Sequence, residues 1–372
     1  MIYLDHAATS WPKPPAVLAA IQRWYTELGV SADRGDGERQ RTVAHEVAAA
    51  RTLVGALLAL PGERVAFVSG ATEGLNLALR ALLAPGDHVL TTALEHSSVV
   101  RPLRTLQRER GLRLTVVPLE ADGRLAHERL LAGLRAERVQ LFVFGHASNV
   151  TGQCLDAETL CVAARAAGTP TLVDASQTAG LCELPQHADV VVASAHKALL
   201  GPPGLGFVAV RPGLTLAPQK QGGTGSSTAL DEHPSDWPRA FEAGTPNTPA
   251  ILGLAAALRG RAAADRGEAL ARALSATDHL AQALEATGSW QLLSPRHGGR
   301  VPVLSVTHDH YDPAELGAIL TGAGIHARSG HHCAPWVHAQ MGTAASGTLR
   351  LSPGADTSAD DIDATIRLLA SL

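Results

Sequence analysis

Short apolar runs alternate with helical patterns along the chain from about residue 65. The runs VAFVS, HVLTTA, LRLTVVPL, VQLFVFG, TPTLVDA, DVVVASA and GFVAVRP predict strands, and TEGLNLALRALLA, VVRPLRTLQRERG, ERLLAGLRAE and DAETLCVAARAAG predict helices between most of them. Buried strands separated by helices are typical of a mostly parallel sheet that helices cover on both faces. The sequence therefore predicts an α/β fold.

A second unit follows a segment rich in proline and glycine, residues 218–249, for which we predict exposed or interface loops. Residues 251–290 predict one or two long helices, VPVLSVTH, GIHARS and GTLRLSP predict strands, and DDIDATIRLLASL predicts a helix. We divide the chain into a large α/β domain, residues 13–250, and a small α+β domain formed by residues 1–12 and 251–372.

Composition narrows the function classes. The 372 residues are 45% hydrophobic and 18% charged, which is typical of a folded globular protein. The net charge of −4, without long runs of one sign, argues against a nucleic acid partner. The start MIYLDHAATSWPKPP lacks a signal core, and no apolar run reaches the roughly 20 residues of a membrane helix, so we expect a cytoplasmic protein without membrane attachment.

Cysteines and lysines shorten the list of candidate chemistries. The four cysteines lack CxxC spacing, so we expect neither a disulfide framework nor a metal site. Of 31 basic residues, 28 are arginines and only Lys13, Lys197 and Lys220 are lysines. Because arginine cannot lose its proton in a protein, a retained lysine marks a place where a neutral amine is useful.

Polar residues follow several predicted strands, where ligands bind in open α/β sheets. In VAFVSGATEGLNLAL, Gly70 and Thr72 begin a helix whose free N–H groups suit an anion; the alternative is an ordinary helix cap. In TPTLVDASQTAG, the Asp174 carboxylate can pair with a protonated ring nitrogen, or it can simply cap the next helix. In DVVVASAHKALLGPPG, Lys197 can bind an aldehyde cofactor, or it can be a surface lysine at a strand end.

Eight sequence motifs together resemble those of a known protein family. YLDHAATS, GATEGLN, EHSSV, HASNVTG, VDASQ, SAHKALLGPPG, FEAGTPNT and ARSGHHCA occur in this order between residues 2 and about 352. They resemble the successive motifs of cysteine desulfurases of the class V aminotransferase fold, especially the group related to SufS and selenocysteine lyase. The resemblance implies a pyridoxal-phosphate-dependent transferase of fold type I.

The resemblance also implies roles for individual residues. Lys197 would bind pyridoxal 5'-phosphate covalently, Asp174 would keep its ring nitrogen protonated, Gln177 would contact its phenolic oxygen, and His96 would stack on its ring. The phosphate contacts would be Ala71, Thr72, Ser194, His196 and, from a partner subunit, Thr245. Asn149 and Arg350 would hold the substrate, Arg350 as a bidentate clamp on its carboxylate, and Cys333 would accept the sulfur.

By this resemblance the protein converts L-cysteine to L-alanine, forms a persulfide on Cys333, passes the sulfur to an acceptor protein and works as a homodimer. His331 and His332 either assist the Cys333 thiolate or support its loop. We take Cys154, Cys161 and Cys182 as structural.

The sequence leaves three alternative functions open. Gly37 stands where the family has a histidine, which leaves the substrate preference open. The first alternative is therefore a selenocysteine lyase. A more distant one is an aminotransferase or epimerase, which would not need Cys333, and a non-enzymatic sulfur carrier would not need Asn149 and Arg350.

Overall fold

The computed structural model describes residues 1–32, 35, 37–136, 138–225, 230–262 and 266–372. The strands are β1 Ile2–Tyr3, β2 Val65–Val68, β3 His88–Thr92, β4 Arg113–Val117, β5 Leu141–Gly145, β6 Thr171–Asp174, β7 Val190–Ser194, β8 Gly206–Val210, β9 Trp290–Leu292, β10 Leu304–His308, β11 Ile325–His326, β12 Arg328–Gly330 and β13 Thr348–Leu351. The α-helices are α1 Pro15–Arg23, α2 Glu38–Ala56, α3 Ala71–Leu82, α4 Ser97–Arg110, α5 His127–Ala136, α6 Ala157–Ala166, α7 Thr248–Ala262, α8 Arg266–Thr287, α9 Pro313–Gly322, α10 Pro335–Gln340 and α11 Ala359–Leu369. A π-helical turn, Trp24–Leu28, extends α1, and short 3₁₀ turns lie at Gly62–Arg64 and Arg239–Phe241.

The main sheet has the strand order β2-β8-β7-β6-β5-β3-β4. Every pairing is parallel except those of β8, which is antiparallel to both of its neighbours. The connection from β7 to β8 contains no helix and covers only residues 195–205, whereas a parallel crossover usually needs about a dozen residues or more. The mostly parallel sheet predicted from the sequence is confirmed.

Alternating side chains of the strands supply two separate cores. On β5, Phe142 and Phe144 face the core shared with α2, α5, α6 and α7, while Leu141 and Val143 face the core shared with α3 and α4. The edge strand β4 is partly exposed. Because both faces of the central strands are buried, strands such as β5 and β7 are mostly apolar instead of alternating with polar residues. This explains why the runs of apolar residues were visible in the sequence.

A second, antiparallel sheet has the order β12-β13-β10-β9 and packs with α8, α9 and α11 around a third core. The beginning of the chain joins this unit, because β1 pairs with β11 in parallel. The predicted boundary after residue 250 falls inside α7, and Ile251, Leu252 and Leu254 pack in the first core with the main sheet. The helix α7 thus belongs with the main sheet, and the two-domain division itself stays a prediction.

The segment of residues 218–249 is not all exposed loop. Ala240 and Phe241 are buried in the core with α3 and α4, and Trp237 packs against them. The 3₁₀ turn at Arg239–Phe241 and the aromatic side chains together hold this part of the segment. Among the residues with described positions, no helix is long and apolar enough to cross a membrane.

Candidate active site

The parallel strands β3, β5, β6 and β7 end at one edge of the main sheet, and the segments that follow them meet around a small pocket. Its lining residues are Leu94, His96, Gly145, Ala147, Asn149, Asp174, Ser176, Gln177 and Lys197. Gln177 and Lys197 also line a second cavity of about 480 Å³, which lies toward the beginning of the chain. Four residues singled out from separate sequence motifs, His96, Asn149, Asp174 and Lys197, are therefore neighbours.

Lys197 follows β7 and places its amine deep between these two cavities. Burial lowers the pKa of this amine, and the nearby Asp174 carboxylate partly opposes that shift. A neutral amine is the form that attacks a carbonyl carbon. Burial thus makes the amine of Lys197 easier to deprotonate than that of an exposed lysine, and its role toward an aldehyde stays a prediction.

Asp174 and Gln177 are fixed by contacts with their own loop and with the N-terminal segment. The Ser176 N–H donates to Asp174 Oδ1 at 2.9 Å, and the Ser194 N–H donates to Ser176 Oγ at 3.3 Å. Gln177 Nε2 donates to the carbonyl of Ala7 at 3.0 Å. These bonds orient both side chains before any ligand binds.

The start of α3 forms the polar end of the site. Gly70 precedes the helix and offers no side-chain cap, while the Ala71 N–H donates to Ser194 Oγ at 3.3 Å. The close approach depends on Gly206 of β8, because a Cβ there would lie 2.7 Å from the carbonyl carbon of Gly70. Thr72 is exposed at this end. The first N–H groups of the helix, which have no intrahelical acceptor, thus face the edge where Ser194 ends β7.

His96 is the N-cap of α4 and carries no charge near neutral pH. Its Nδ1 accepts the Ser98 N–H at 3.1 Å, and burial, helped by the positive charge of Lys197, lowers its pKa to about 4. Ser98 Oγ lies 2.9 Å from His96 Nδ1 and 2.8 Å from Thr72 Oγ1. Ser98 therefore connects His96 to Thr72 at the start of α3. Ser98 is part of the motif EHSSV, but it was not among the predicted site residues.

Glu95 is a buried acid that the sequence analysis also missed. It is 0% exposed, and its Oε1 accepts from Thr92 Oγ1 at 2.6 Å and from the Gly145 N–H at 3.1 Å. Burial raises its pKa to about 8, and the negative charge of Asp174 adds to the shift. At neutral pH Glu95 is therefore mainly protonated.

Cys333 is exposed on a loop held by two short hydrogen bonds. Asn149 Nδ2 donates to the carbonyl of His332, and the Ser97 N–H donates to the carbonyl of Cys333, each at 2.6 Å. His332 and Cys333 both have left-handed backbones, with φ of 47° and 58°, which costs non-glycine residues about 1–2 kcal/mol each. The loop thus holds Cys333 in one strained, solvent-facing conformation.

The two histidines before Cys333 support this loop. His331 Nε2 lies 2.8 Å from the carbonyl of Ala344, and His332 Nε2 lies 3.1 Å from the carbonyl of Thr348. Burial and the charge of Arg350 lower the pKa of His332 to about 2, so it stays neutral. These contacts favour the structural reading of the pair.

Arg350 lies on β13 and is 1% exposed. Its Nη2 donates to Asp5 Oδ1 at 2.7 Å and its Nη1 donates to the carbonyl of Asn149 at 3.0 Å. Arg328 approaches the other oxygen of Asp5 at 3.5 Å. Each terminal nitrogen of Arg350 therefore already donates to one protein oxygen, whereas its Nε has no hydrogen-bond partner among the described residues. A guanidinium has five N–H donors, so the remaining ones are those left for a substrate carboxylate. Asp5 and Arg328 were missed, although both lie in quoted motifs.

The structure also locates Thr245 and Gly37. Thr245 is exposed, in a loop tied to the start of β8 by a bond from Asn247 Nδ2 to the carbonyl of Gly204; its role toward a partner subunit stays a prediction. Gly37 is the N-cap of α2. Within the described ranges no group of three or more His, Cys, Asp or Glu side chains is arranged to hold a metal ion.

Comparison with known proteins places this geometry in a family. The sequence model of the Aminotransferase class-V family matches residues 2–365. A cysteine desulfurase of Pectobacterium carotovorum is 32% identical over an alignment that covers 100% of this chain and 92% of the relative. The chain belongs to the class V aminotransferase family, as its motifs predicted.

Solved structures agree with this assignment. The apo structure of a cysteine desulfurase from Thermococcus onnurineus superposes with a TM-score of 0.93 at 28% identity, covering 100% of this chain and 94% of that one. The cysteine desulfurase CsdA from Escherichia coli superposes with a TM-score of 0.88 at 27% identity, covering 99% and 94%. The fold class predicted from the sequence is confirmed.

Enzymes of this family depend on pyridoxal phosphate, and the residues present here fit that group. Lys197 supplies a buried amine of lowered pKa, and Asp174 supplies a carboxylate across the same small pocket. The start of α3, with Ser194 beside it, supplies donors for a phosphate.

Proposed function

We propose that this protein is a pyridoxal-phosphate-dependent cysteine desulfurase, which converts L-cysteine to L-alanine and collects the sulfur on Cys333. The observation that carries the proposal is the meeting of two nucleophiles of different kinds. Lys197 lines the pocket together with Asn149. The Asn149 side chain and the Ser97 N–H hold the loop of the exposed Cys333. An aminotransferase or epimerase needs the first nucleophile and not the second.

In this proposal the cofactor is held by groups from four segments of one copy of the chain and one segment of a second copy. Lys197 binds it covalently, Asp174 pairs with its ring nitrogen, Gln177 contacts its phenolic oxygen and His96 covers its ring. Ala71, Thr72, Ser194 and His196 hold the phosphate, together with Thr245 of a second copy of the chain. The bound cofactor supplies an electron sink next to the substrate α-carbon.

Different residues of the protein then perform the separate steps of the reaction. Lys197, released from the cofactor when the substrate amine takes its place, takes the substrate α-proton on its amine nitrogen. Neutral His96 covers the pocket without adding a positive charge. The Cys333 thiolate attacks the substrate sulfur, a sulfur–sulfur bond forms, and the carbon–sulfur electron pair stays with the carbon fragment. That fragment takes up protons and leaves as alanine, while Cys333 keeps the sulfur as a persulfide.

The persulfide is exposed, which suits transfer to an acceptor. Cys333 faces solvent, so a protein thiol can reach it without opening the cores. We include in the proposal a cytoplasmic homodimer that delivers sulfur to an acceptor protein. The names of the relatives favour cysteine over selenocysteine as the substrate, so selenocysteine lyase is the less favoured activity.

One assay tests the proposal. The purified protein, loaded with pyridoxal phosphate, receives L-cysteine, and alanine and sulfide are measured with and without a thiol reductant. We expect about one alanine per subunit without reductant and continuous turnover with it, since reductant discharges the persulfide. Borohydride reduction and peptide mapping should place the pyridoxyl label on Lys197. No alanine under either condition, or a label on Lys13 or Lys220, would rule the proposal out.

A further inference from the structure

The carbonyl oxygen of His196, which precedes the cofactor lysine, is surrounded by an unusual number of donors. It accepts from the Ser10 N–H at 2.9 Å, from Thr9 Oγ1 at 3.0 Å and from Ser10 Oγ at 3.2 Å. Lys13 Nζ donates to the same oxygen at 2.8 Å. A carbonyl oxygen has only two lone pairs, so these donors share it, and the peptide group is held by three residues, Thr9, Ser10 and Lys13.

Lys13 is the charged member of this group, and its ammonium is directed at this peptide instead of at an acid. Its Nζ also donates to Ser10 Oγ at 2.8 Å, so its two bonds reinforce the same contact. Across the described part of the chain no carboxylate lies within ion-pair distance of it. Burial lowers its pKa to about 8. The chain therefore keeps a partly desolvated charge at this point without an ion pair to offset its cost.

The surrounding backbone makes Lys13 a stiff support. Pro12 and Pro14 flank it, and proline restricts both itself and the residue before it. Less backbone freedom is therefore lost when such a segment holds a partner. On the other side of Lys197, the Leu200 N–H donates to the Lys197 carbonyl at 2.9 Å. The peptide that carries the amine is thus fixed from both directions.

We propose that Lys13 is a positioning residue for Lys197: through the His196 carbonyl it fixes the peptide from which the amine reaches the pocket. The inference rests on the proposed function, since it assigns Lys197 the cofactor. Lys13 borders the 480 Å³ cavity that Lys197 also lines. Lysine suits the task because a compact ammonium can donate to Ser10 Oγ and to the carbonyl at once, whereas a planar guanidinium has its donors in a fixed fork.

The test compares Lys13→Met with Lys220→Met, a matched control whose amine pairs with Glu73 instead. Cofactor-free protein of each variant is mixed with pyridoxal phosphate, and the covalent attachment rate is followed by absorbance and by borohydride trapping at Lys197. We expect attachment in Lys13→Met to slow at least about tenfold, and kcat for L-cysteine to fall by a similar factor, because misplacement of a reacting group costs rate before it costs binding. KM and the thermal midpoint of the cofactor-free protein should match the control.

Ser10→Ala removes the hydroxyl through which Lys13 reinforces the contact, and it should slow attachment in the same direction. If Lys13→Met does not fold, Ser10→Ala carries the test, and an unchanged attachment rate overturns the inference. The inference is also overturned if Lys13→Met attaches cofactor at the control rate, or if kcat falls only together with the thermal midpoint. Failure of the wild-type protein to label Lys197 contradicts the proposed function itself, so the two failures are distinguishable.

Discussion

Removing the carboxylate of Asp5 should destabilise the protein strongly, because it leaves the Arg350 guanidinium buried without its counter-charge. The two side chains are 11% and 1% exposed, and Nη2 lies 2.7 Å from Oδ1. Removing one partner of a buried ion pair typically costs about 3–5 kcal/mol. The carbonyl of Asn149 still binds Nη1 in the variant, so we expect Asp5→Ala to cost about 3 kcal/mol, at the lower end of that range.

Thermal unfolding of the cofactor-free protein gives the measurement. At about 2.1 cal/mol/K per residue, 372 residues have an unfolding entropy of about 0.8 kcal/mol/K. A loss of about 3 kcal/mol therefore lowers the midpoint by about 4 °C. Asp5→Ala, Arg350→Met and the double variant form a cycle in which the double variant should lose about 2 kcal/mol less than the sum of the singles, since no unpaired charge remains.

Arg328→Met is the control, because this arginine is 49% exposed and lies 3.5 Å from Asp5. An exposed pair of this kind contributes at most about 1 kcal/mol. The argument that burial makes the Asp5–Arg350 pair strong is refuted if Asp5→Ala lowers the free energy of unfolding no more than Arg328→Met does. It is also refuted if the losses of the two single variants simply add up to that of the double variant.

Three other predictions concern chemistry, pH and assembly. Cys333→Ser should nearly abolish alanine formation from L-cysteine but keep much more activity on L-selenocysteine, because a selenol leaves more readily than a thiol. Steady-state kinetics on both substrates test this, and equal losses would exclude Cys333 from sulfur transfer. The Glu95 pKa of about 8 lies above its ordinary value of 4.5, so Glu95 contributes its full stability below pH 4.5 and loses it as pH rises through 8. The free energy of unfolding of the wild type relative to Glu95→Gln should therefore fall by up to about 1.4 kcal/mol per pH unit between pH 4.5 and about 8. Denaturant unfolding of both proteins measures it, and a difference that does not change with pH would show that Glu95 is not protonated in the folded protein. Sedimentation at micromolar concentration should show a homodimer that uses Thr245 across its interface, and a monomer with full activity would exclude that role.

The main sheet could be predicted because its strands are buried on both faces, so that VVVAS and LFVFG stand out without knowledge of their neighbours. The reversed direction of β8 could not, since GFVAV has the same composition as a parallel strand. Only the length of the connection before it carries that information. The burial of Phe241 was hidden for a related reason: a proline- and glycine-rich segment shows no period, although single aromatic residues in it reach the core.

The part of the candidate site that lies at the ends of strands could be predicted from the sequence. Asp174 and Lys197 each follow a buried strand, and the order of parallel strands brings them to one edge. Contacts between distant segments were not predictable: Asp5 and Arg350 are 345 positions apart, and no local pattern relates them. The assignment of Asn149 to the substrate likewise overlooked that its side chain holds the loop of Cys333.

The N-terminal segment from Tyr3 to Lys13 has a consequence for the order in which the site folds. It supplies the Ala7 carbonyl to Gln177, Asp5 to Arg350 and three donor residues to the His196 carbonyl. These contacts join residues that are 170 to 345 positions apart. Contacts of such long sequence separation cost loop-closure entropy and slow folding. The main sheet can therefore form from contacts between nearer residues before the setting of Lys197 is complete.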